Sequence, residues 1–437
     1  MTTDTGRRRL VTVFAVTQTL GYGALIQSFT VLLVPIARDL GVGRTAVTLA
    51  ATISVLVGAV AAFPVGRLLD RYGGRALMAG GSAVGVLAVV LWSQATTLPV
   101  LYLAFVLVGV ALATSTYEAA FAVLVVASDP VRRDASIVTV TLVAGLLTAV
   151  YYPLTAWLDG LLGWRTTLLV LAASLALVAL PLHLWAVPGR SAHTQRLGRR
   201  SGVPVGAALR TRGFWLLLVA FATQAGVTSA FLVLVVTYFR DVGFSPTVAA
   251  TLPLTVGIMQ ITSRLALAPL ARRFGMARVT VAAFVVQGVG LLALSAAGTA
   301  LVPTLLCVAA FGVGHGVSVV ARPSIVADAF GVAQFASILA VMTVPTALTR
   351  AGSPLVAAWL ADSRFLVVLG VAGLVAAAAL LPLARGRQTR AATAGEVVVD
   401  VVVDTVGADA VGADAVGVDV VGTGSPNRSR IVTPASS

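Results

Sequence analysis

The chain has 437 residues, 58% of them hydrophobic and only 11% charged, with a mean hydropathy of +0.99. A soluble domain carries about a quarter charged residues, so a single aqueous core is excluded and a bilayer is the fitting solvent. The formal net charge of +14 comes from arginine, with no lysine. Its scatter through short gaps between apolar runs argues against nucleic acid and for membrane topology signals.

The opening "MTTDTGRRRL" has the charge of a secretory leader, but the apolar run after it is about 25 residues, too long for a leader and without a cleavage site. It is expected to be a retained first helix behind a cytoplasmic N-terminus, residues 1–10. Runs long enough to cross about 30 Å of hydrocarbon follow at 11–36, 45–66, 76–95, 99–127, 135–158 and 165–187. After the polar segment 188–212 they resume at 213–238, 246–270, 279–297, 301–327, 334–360 and 365–384. The expectation is an all-α integral membrane protein with twelve transmembrane helices, six in residues 11–187 and six in 213–385, joined by a linker at 188–212. Residues 386–437, built around "VGADAVGADAVGVDVVGTG", read as a disordered low-complexity tail.

Arginines 7–9, 67, 71, 75, 132, 133, the linker group 190–212, 272, 273, 278, 385, 387 and 390 fall on one side of this plan. Only Arg38, Arg44, Arg165, Arg240 and Arg364 fall on the other, several of them close to an aspartate. The positive-inside rule then puts both termini and the linker in the cytoplasm of a cell that carries the protein in its inner or plasma membrane. The single Cys307 rules out an intrachain disulfide.

The halves repeat. An offset of 202 residues aligns "ARDLGVGRTAVTLA" (37–50) with "FRDVGFSPTVAATL" (239–252), Arg71 with Arg273, Gly73 with Gly275 and, nearby, Trp157 with Trp359. Parallel six-helix repeats are a transporter architecture with the substrate site between the halves near the midplane.

The stretch "GRLLDRYGGR" (66–75) crowds four ionised side chains between two apolar runs. With Gly66, Asp70, Arg71, Gly73 and Arg75 it resembles the signature between the second and third helices of the major facilitator superfamily. The copy "APLARRFGMAR" keeps Arg273 and Gly275 but has Ala268 and Arg272 where the signature has Gly and Asp. The chemistry is legible in its own right. A carboxylate at a helix C-terminus needs a cation or a helix N-terminus to answer it, so Asp70 is expected to form a latch that holds in one state and breaks in another. Gly66 would allow close helix approach and Gly73 a tight turn.

Ionisable groups at membrane depth point to function. Arg264, Arg322 and Arg350 lie on spans eight, ten and eleven, and Glu118 on span four is the one deep carboxylate. Three cations against one anion favour a carboxylate-bearing substrate, which the guanidinium fork binds in two places. The alternative for each arginine is packing against carbonyls or Glu118. His315, Tyr22, Tyr117, Tyr151 and Gln260 are further candidates to orient a ligand or to bridge helices. "TLGYGA" is similar to the opening of monocarboxylate-type porters at Gly21, Tyr22 and Gly23, with Thr19 in the acid's place. Arg264 matches their eighth-span arginine, with Gln260 where they carry Asp.

The function expected is secondary active transport of a small organic solute, an organic anion first, by alternating access. A multidrug or metabolite exporter and a transport-fold receptor are the alternatives. The spans carry no convergent acid, base or nucleophile and no phosphate loop, so neither an enzyme nor a cofactor is expected, although an ion or proton gradient would drive transport. The expected partners are lipid and a small molecule, with the protein a monomer.

Overall fold

The structure, a computed structural model, describes residues 4–128, 130–148, 150–190, 202–360 and 364–385. The middle of the linker and the tail at 386–437 lie outside the described residues. Eleven helices among those described are long and apolar enough to cross a membrane. They are α1 (Gly6–Asp39), α2 (Arg44–Tyr72), α3 (Gly74–Ser93), α4 (Leu98–Ala127), a 55-residue run Arg132–Ala186, α7 (Arg212–Val242), α8 (Pro246–Phe274), α9 (Met276–Leu294), α10 (Leu301–Phe330), α11 (Phe335–Ala358) and α12 (Arg364–Arg385). A 55-residue helix would be about 80 Å long, far beyond one crossing. It is two, because Gly163 at φ 76°, ψ 161° reverses the chain. That divides the run into α5 (132–162) and α6 (164–186), and makes twelve crossings in all.

The helix ends follow from local chemistry. Thr211 and Ser245 cap α7 and α8 by accepting the amides of Phe214 and Val248, and Pro246 sits at a first-turn position where its missing N–H costs nothing. The stretch 66–75 is not simply a loop: α2 runs on to Tyr72, so its first part is helix. The turn falls at Gly73, whose φ of 81° is open to glycine at little cost.

The duplication is visible in backbone detail. Gly73 and Gly275 both take positive φ, and their amides bond back to Leu69 and Ala271 at 2.9 Å each. Gly41 and Gly243 both take positive φ, followed by Val42 N–H to Ala37 O and Phe244 N–H to Phe239 O at 3.0 Å each. Every one of these pairs stands 202 residues apart.

The buried apolar residues divide unequally. One cluster draws on both halves at the end bearing the arginine-rich loops, with Leu10, Leu69, Phe214, Leu267, Phe330 and Phe335 among its members. At the opposite end there are two clusters, one around Ile36, Trp92 and Trp164 in the first half and one around Phe239, Leu294 and Phe365 in the second. The halves are therefore packed together at the arginine-rich end and separate at the other. Closeness there depends on Gly66, where a β-carbon would stand 2.7 Å from the carbonyl oxygen of Ala336 on α11. Gly66→Ala is expected to destabilise this closed form by about 1–3 kcal/mol through overpacking. A lowered midpoint in thermal unfolding checks it, and an unchanged midpoint would mean that α2 and α11 are not held this close.

Candidate functional site

A cavity of about 310 Å³ lies between the halves. It is lined by Tyr22 of α1, Tyr117, Glu118 and Phe121 of α4, Gln224 of α7, Arg264 of α8, His315 and Arg322 of α10 and Arg350 of α11. Seven of the residues singled out from sequence thus converge from five different helices. Tyr151 and Gln260 do not line it. Tyr151 packs its ring over Gly23 within the first half, and Gln260 offers its carbonyl to the Ser263 hydroxyl at 3.1 Å.

Glu118 owes its position to a break in α4. Thr114, Ser115 and Thr116 each turn their hydroxyl back to a carbonyl one turn earlier, at 2.7, 2.7 and 2.5 Å. Such back-bonding competes with and bends a helix, and here Thr116 leaves helical geometry at φ −102°, ψ −160°. The chain restarts at Tyr117, so Glu118 stands in the first turn of the second segment, Tyr117–Ala127, where the helix dipole favours a negative charge. Gln18 satisfies the freed Ser115 carbonyl through Nε2 at 3.1 Å. The break is readable in "ATSTYE" as three consecutive hydroxyl residues inside an otherwise continuous apolar run. In α1 a π-helical turn at Gly23–Gln27 follows Tyr22, whose ring stands 4.6 Å from that of Tyr117, which in turn stacks on Phe121 at 5.2 Å. One wall of the cavity is aromatic.

The other wall is cationic. Arg322 donates to Glu118 Oε1 at 2.6 Å, and Thr343 of α11 donates to Oε2 at 2.9 Å, so Glu118 bridges from the first half to two helices of the second. Arg264, 6% exposed, donates through Nη1 to the carbonyl of Thr141 at 3.0 Å and through Nε to that of Gly316 at 3.3 Å. These bonds tie α5 to α8 and α10 but leave its charge without a counterion among the described residues. The Arg350 guanidinium has no hydrogen-bond or ion-pair partner among them, while its carbonyl accepts from Ser229 at 2.7 Å. His315 stacks on Phe311 at 6.2 Å.

Below the cavity the arginine-rich end is closed by two seams. On one, Asp70 at the end of α2 accepts the backbone amides of Ala336 and Ser337 at 3.2 and 2.9 Å and the Ser337 hydroxyl at 2.6 Å. The carboxylate thus caps the N-terminus of α11 in the other half, the answer that its place at a helix C-terminus demanded. On the other seam Arg133 of α5, 4% exposed, donates to Asp328 of α10 at 2.5 Å and to neighbouring Asp134 at 3.3 Å. In the sequence Arg133 stands out only as a topology signal. The end of the linker adds a strap: Val203 N–H bonds to Phe330 O and Val205 N–H to Gln334 Oε1, both at 2.8 Å, across the turn that leads into α11. The arginines of the signature play lesser parts. Arg71 and Arg273 lie over the rings of Tyr72 and Phe274, and Arg75 donates to Val187 O at 2.7 Å inside the first half.

Twelve helices in two related halves around a charged central cavity define the class: a membrane transporter of the two-bundle type. The sequence matches the profile of the Major Facilitator Superfamily over residues 11–354, and the chain belongs to that family. No curated protein matches it by sequence. Among solved structures it is similar to the human organic anion transporter MFSD10 (TETRAN), with a TM-score of 0.67 at 17% identity over 86% of this chain and 99% of that one. It is also similar to the transporter FucP in the outward conformation (TM-score 0.69, 15% identity, 85% of this chain and 99% of that one). The proton:xylose symporter XylE is a third (TM-score 0.64, 14% identity, 87% and 96%). These likenesses establish the fold, and the chain is a multi-pass membrane protein of a family that acts on small molecules.

Proposed function

We propose that the protein is a secondary active transporter of a small organic anion, working by alternating access. The observation that carries this is the charge balance of the cavity. Three arginines face it against one carboxylate, and that carboxylate is already engaged by Arg322. Arg264 and Arg350 are left to answer an anion brought in from outside, and the guanidinium fork suits a carboxylate. Tyr22 and Tyr117 would flank its apolar part. The volume of about 310 Å³ suits a metabolite-sized solute. The likeness to MFSD10, named an organic anion transporter, agrees with this reading. Ligand-dependent thermal stabilisation of the purified protein, screened over carboxylates, sugars, amines and apolar drugs, tests it. Stabilisation by carboxylates is the expected result, and a response confined to sugars, amines or drugs would remove the assignment.

Alternating access is supported by the uneven packing of the halves, closed by Asp70 and Arg133 at one end and apart at the other. The arginine bias puts the closed end in the cytoplasm of an inner or plasma membrane, so the form described is the outward-facing one. Cysteines placed at Ser191 and Thr423, in a background lacking Cys307, are expected to resist an impermeant thiol reagent in intact cells. Labelling from outside would reverse the orientation.

A further inference from the structure

The two halves build the same structure at the end remote from the arginine-rich loops, and only one of them is filled. In the first half Arg165 plugs it. Its Nη2 donates to Asp39 at 2.6 Å, and its Nη1 donates to the carbonyls of Ser93 and Ala95 at 3.0 and 2.8 Å. At the offset of 202 these acceptors become Asp241, Ser295 and Ala297. The backbone there repeats too: Ala95 N–H to Trp92 O at 3.1 Å is matched by Ala297 N–H to Leu294 O at 3.2 Å. Even the serines agree, each turning its hydroxyl to the carbonyl three residues back at 2.7 Å.

In the second half no arginine among the described residues lines the corresponding place. Asp241 and Ser295 instead line a cavity of about 580 Å³, larger than the central one, together with Leu234, Tyr238, Leu360 and Phe365. Arg364 holds the place of Arg165, each in the first turn of the last helix of its half, but Trp359 is five residues before it where Trp157 is eight before Arg165. Arg364 is exposed and does not line the cavity. Arg240 beside Asp241 is exposed as well, as Arg38 is beside Asp39, where it does not prevent the carboxylate from taking a guanidinium. Of the three acceptors only the Ala297 carbonyl has another donor among the described residues, the amide of Ala300 at 3.3 Å. Asp241 forms no ion pair among the described residues. Tyr238 and Phe365, edge to face with ring centroids 5.7 Å apart, provide an aromatic wall beside it.

We propose that this cavity is a binding site for an organic cation, a guanidinium or ammonium head on an apolar body, held by Asp241 and the Ser295 carbonyl where the first half holds its own arginine. The body would lie against Tyr238, Phe365 and Leu234. The site is separate from the central cavity and does not depend on the substrate assigned there.

The test is calorimetric titration of the full chain in lipid nanodiscs with benzylguanidinium and with benzylurea, its neutral counterpart. Benzylguanidinium is expected to bind about tenfold or more tightly than benzylurea, the scale of a hydrogen bond to a charged group. Asp241→Asn is expected to erase that preference, and Asp241→Glu to keep part of it. Asp241 is exposed, so the variants are expected to fold. Equal binding of the two probes, or a preference that survives Asp241→Asn, would overturn the proposal. So would binding seen only in Arg364→Ala, which would assign the place to the chain's own arginine.

Discussion

Asp70→Asn is expected to loosen the arginine-rich end and slow transport while leaving ligand binding largely intact. The substitution keeps the shape and removes the charge that answers the N-terminal dipole of α11. It also leaves one carbonyl oxygen to do the work of a carboxylate that now accepts from two amides and a hydroxyl. A charge at a helix N-terminus in a partly buried setting contributes about 1–2 kcal/mol, so the population of the form closed at this end falls by roughly tenfold relative to the open one. The central cavity lies deeper and its ligand contacts are unaltered, which separates the effect from loss of substrate. Spin labels at Arg71 and Arg273, exposed positions related by the repeat on opposite halves, would report it as a shift to longer distances. A single unshifted distance with wild-type flux would leave Asp70 as a packing residue.

Replacing Arg264 carries the largest expected cost in binding. Arg264→Ala removes a buried cation that faces the cavity and also two bonds to the carbonyls of Thr141 and Gly316. For an anionic ligand the loss is about 2–5 kcal/mol, or roughly 30-fold or more in affinity. Arg264→Lys keeps the charge but cannot reach two carbonyls from a planar fork, so it is expected to restore only part. Arg350→Ala is the companion measurement. Its guanidinium makes no hydrogen bond or ion pair among the described residues, so its removal should weaken the anion without lowering the melting temperature. Affinity for the best carboxylate of the screen, measured for all three variants at two ionic strengths, decides between the roles. Equal binding by wild type and all variants would make both arginines structural and the organic-anion reading untenable.

Twelve crossings, a six-plus-six repeat and the turn at Gly73 were legible in the chain because hydropathy, arginine placement and glycine spacing are local properties that add up along a sequence. Seven residues of the cavity were legible as well, since an ionisable or aromatic side chain at mid-span has few places to be other than the interior. What each of them meets is not a local property. Whether Arg322 faces a ligand or Glu118, whether Asp70 finds a cation or the amides of Ala336 and Ser337, and whether Arg133 is a topology signal or a tie to Asp328 are decided by how helices some 200 residues apart in sequence cross. For Tyr151 the sequence leaves ligand and helix bridging open, and the packing of α5 against the π-helical turn of α1 puts its ring over Gly23, outside the cavity lining. Asp39 and Asp241 state the division most sharply. Their local sequences and backbone turns are alike, yet one holds an arginine and the other opens on a cavity, because the position of the last helix relative to the first is a property of the assembled half and not of either segment.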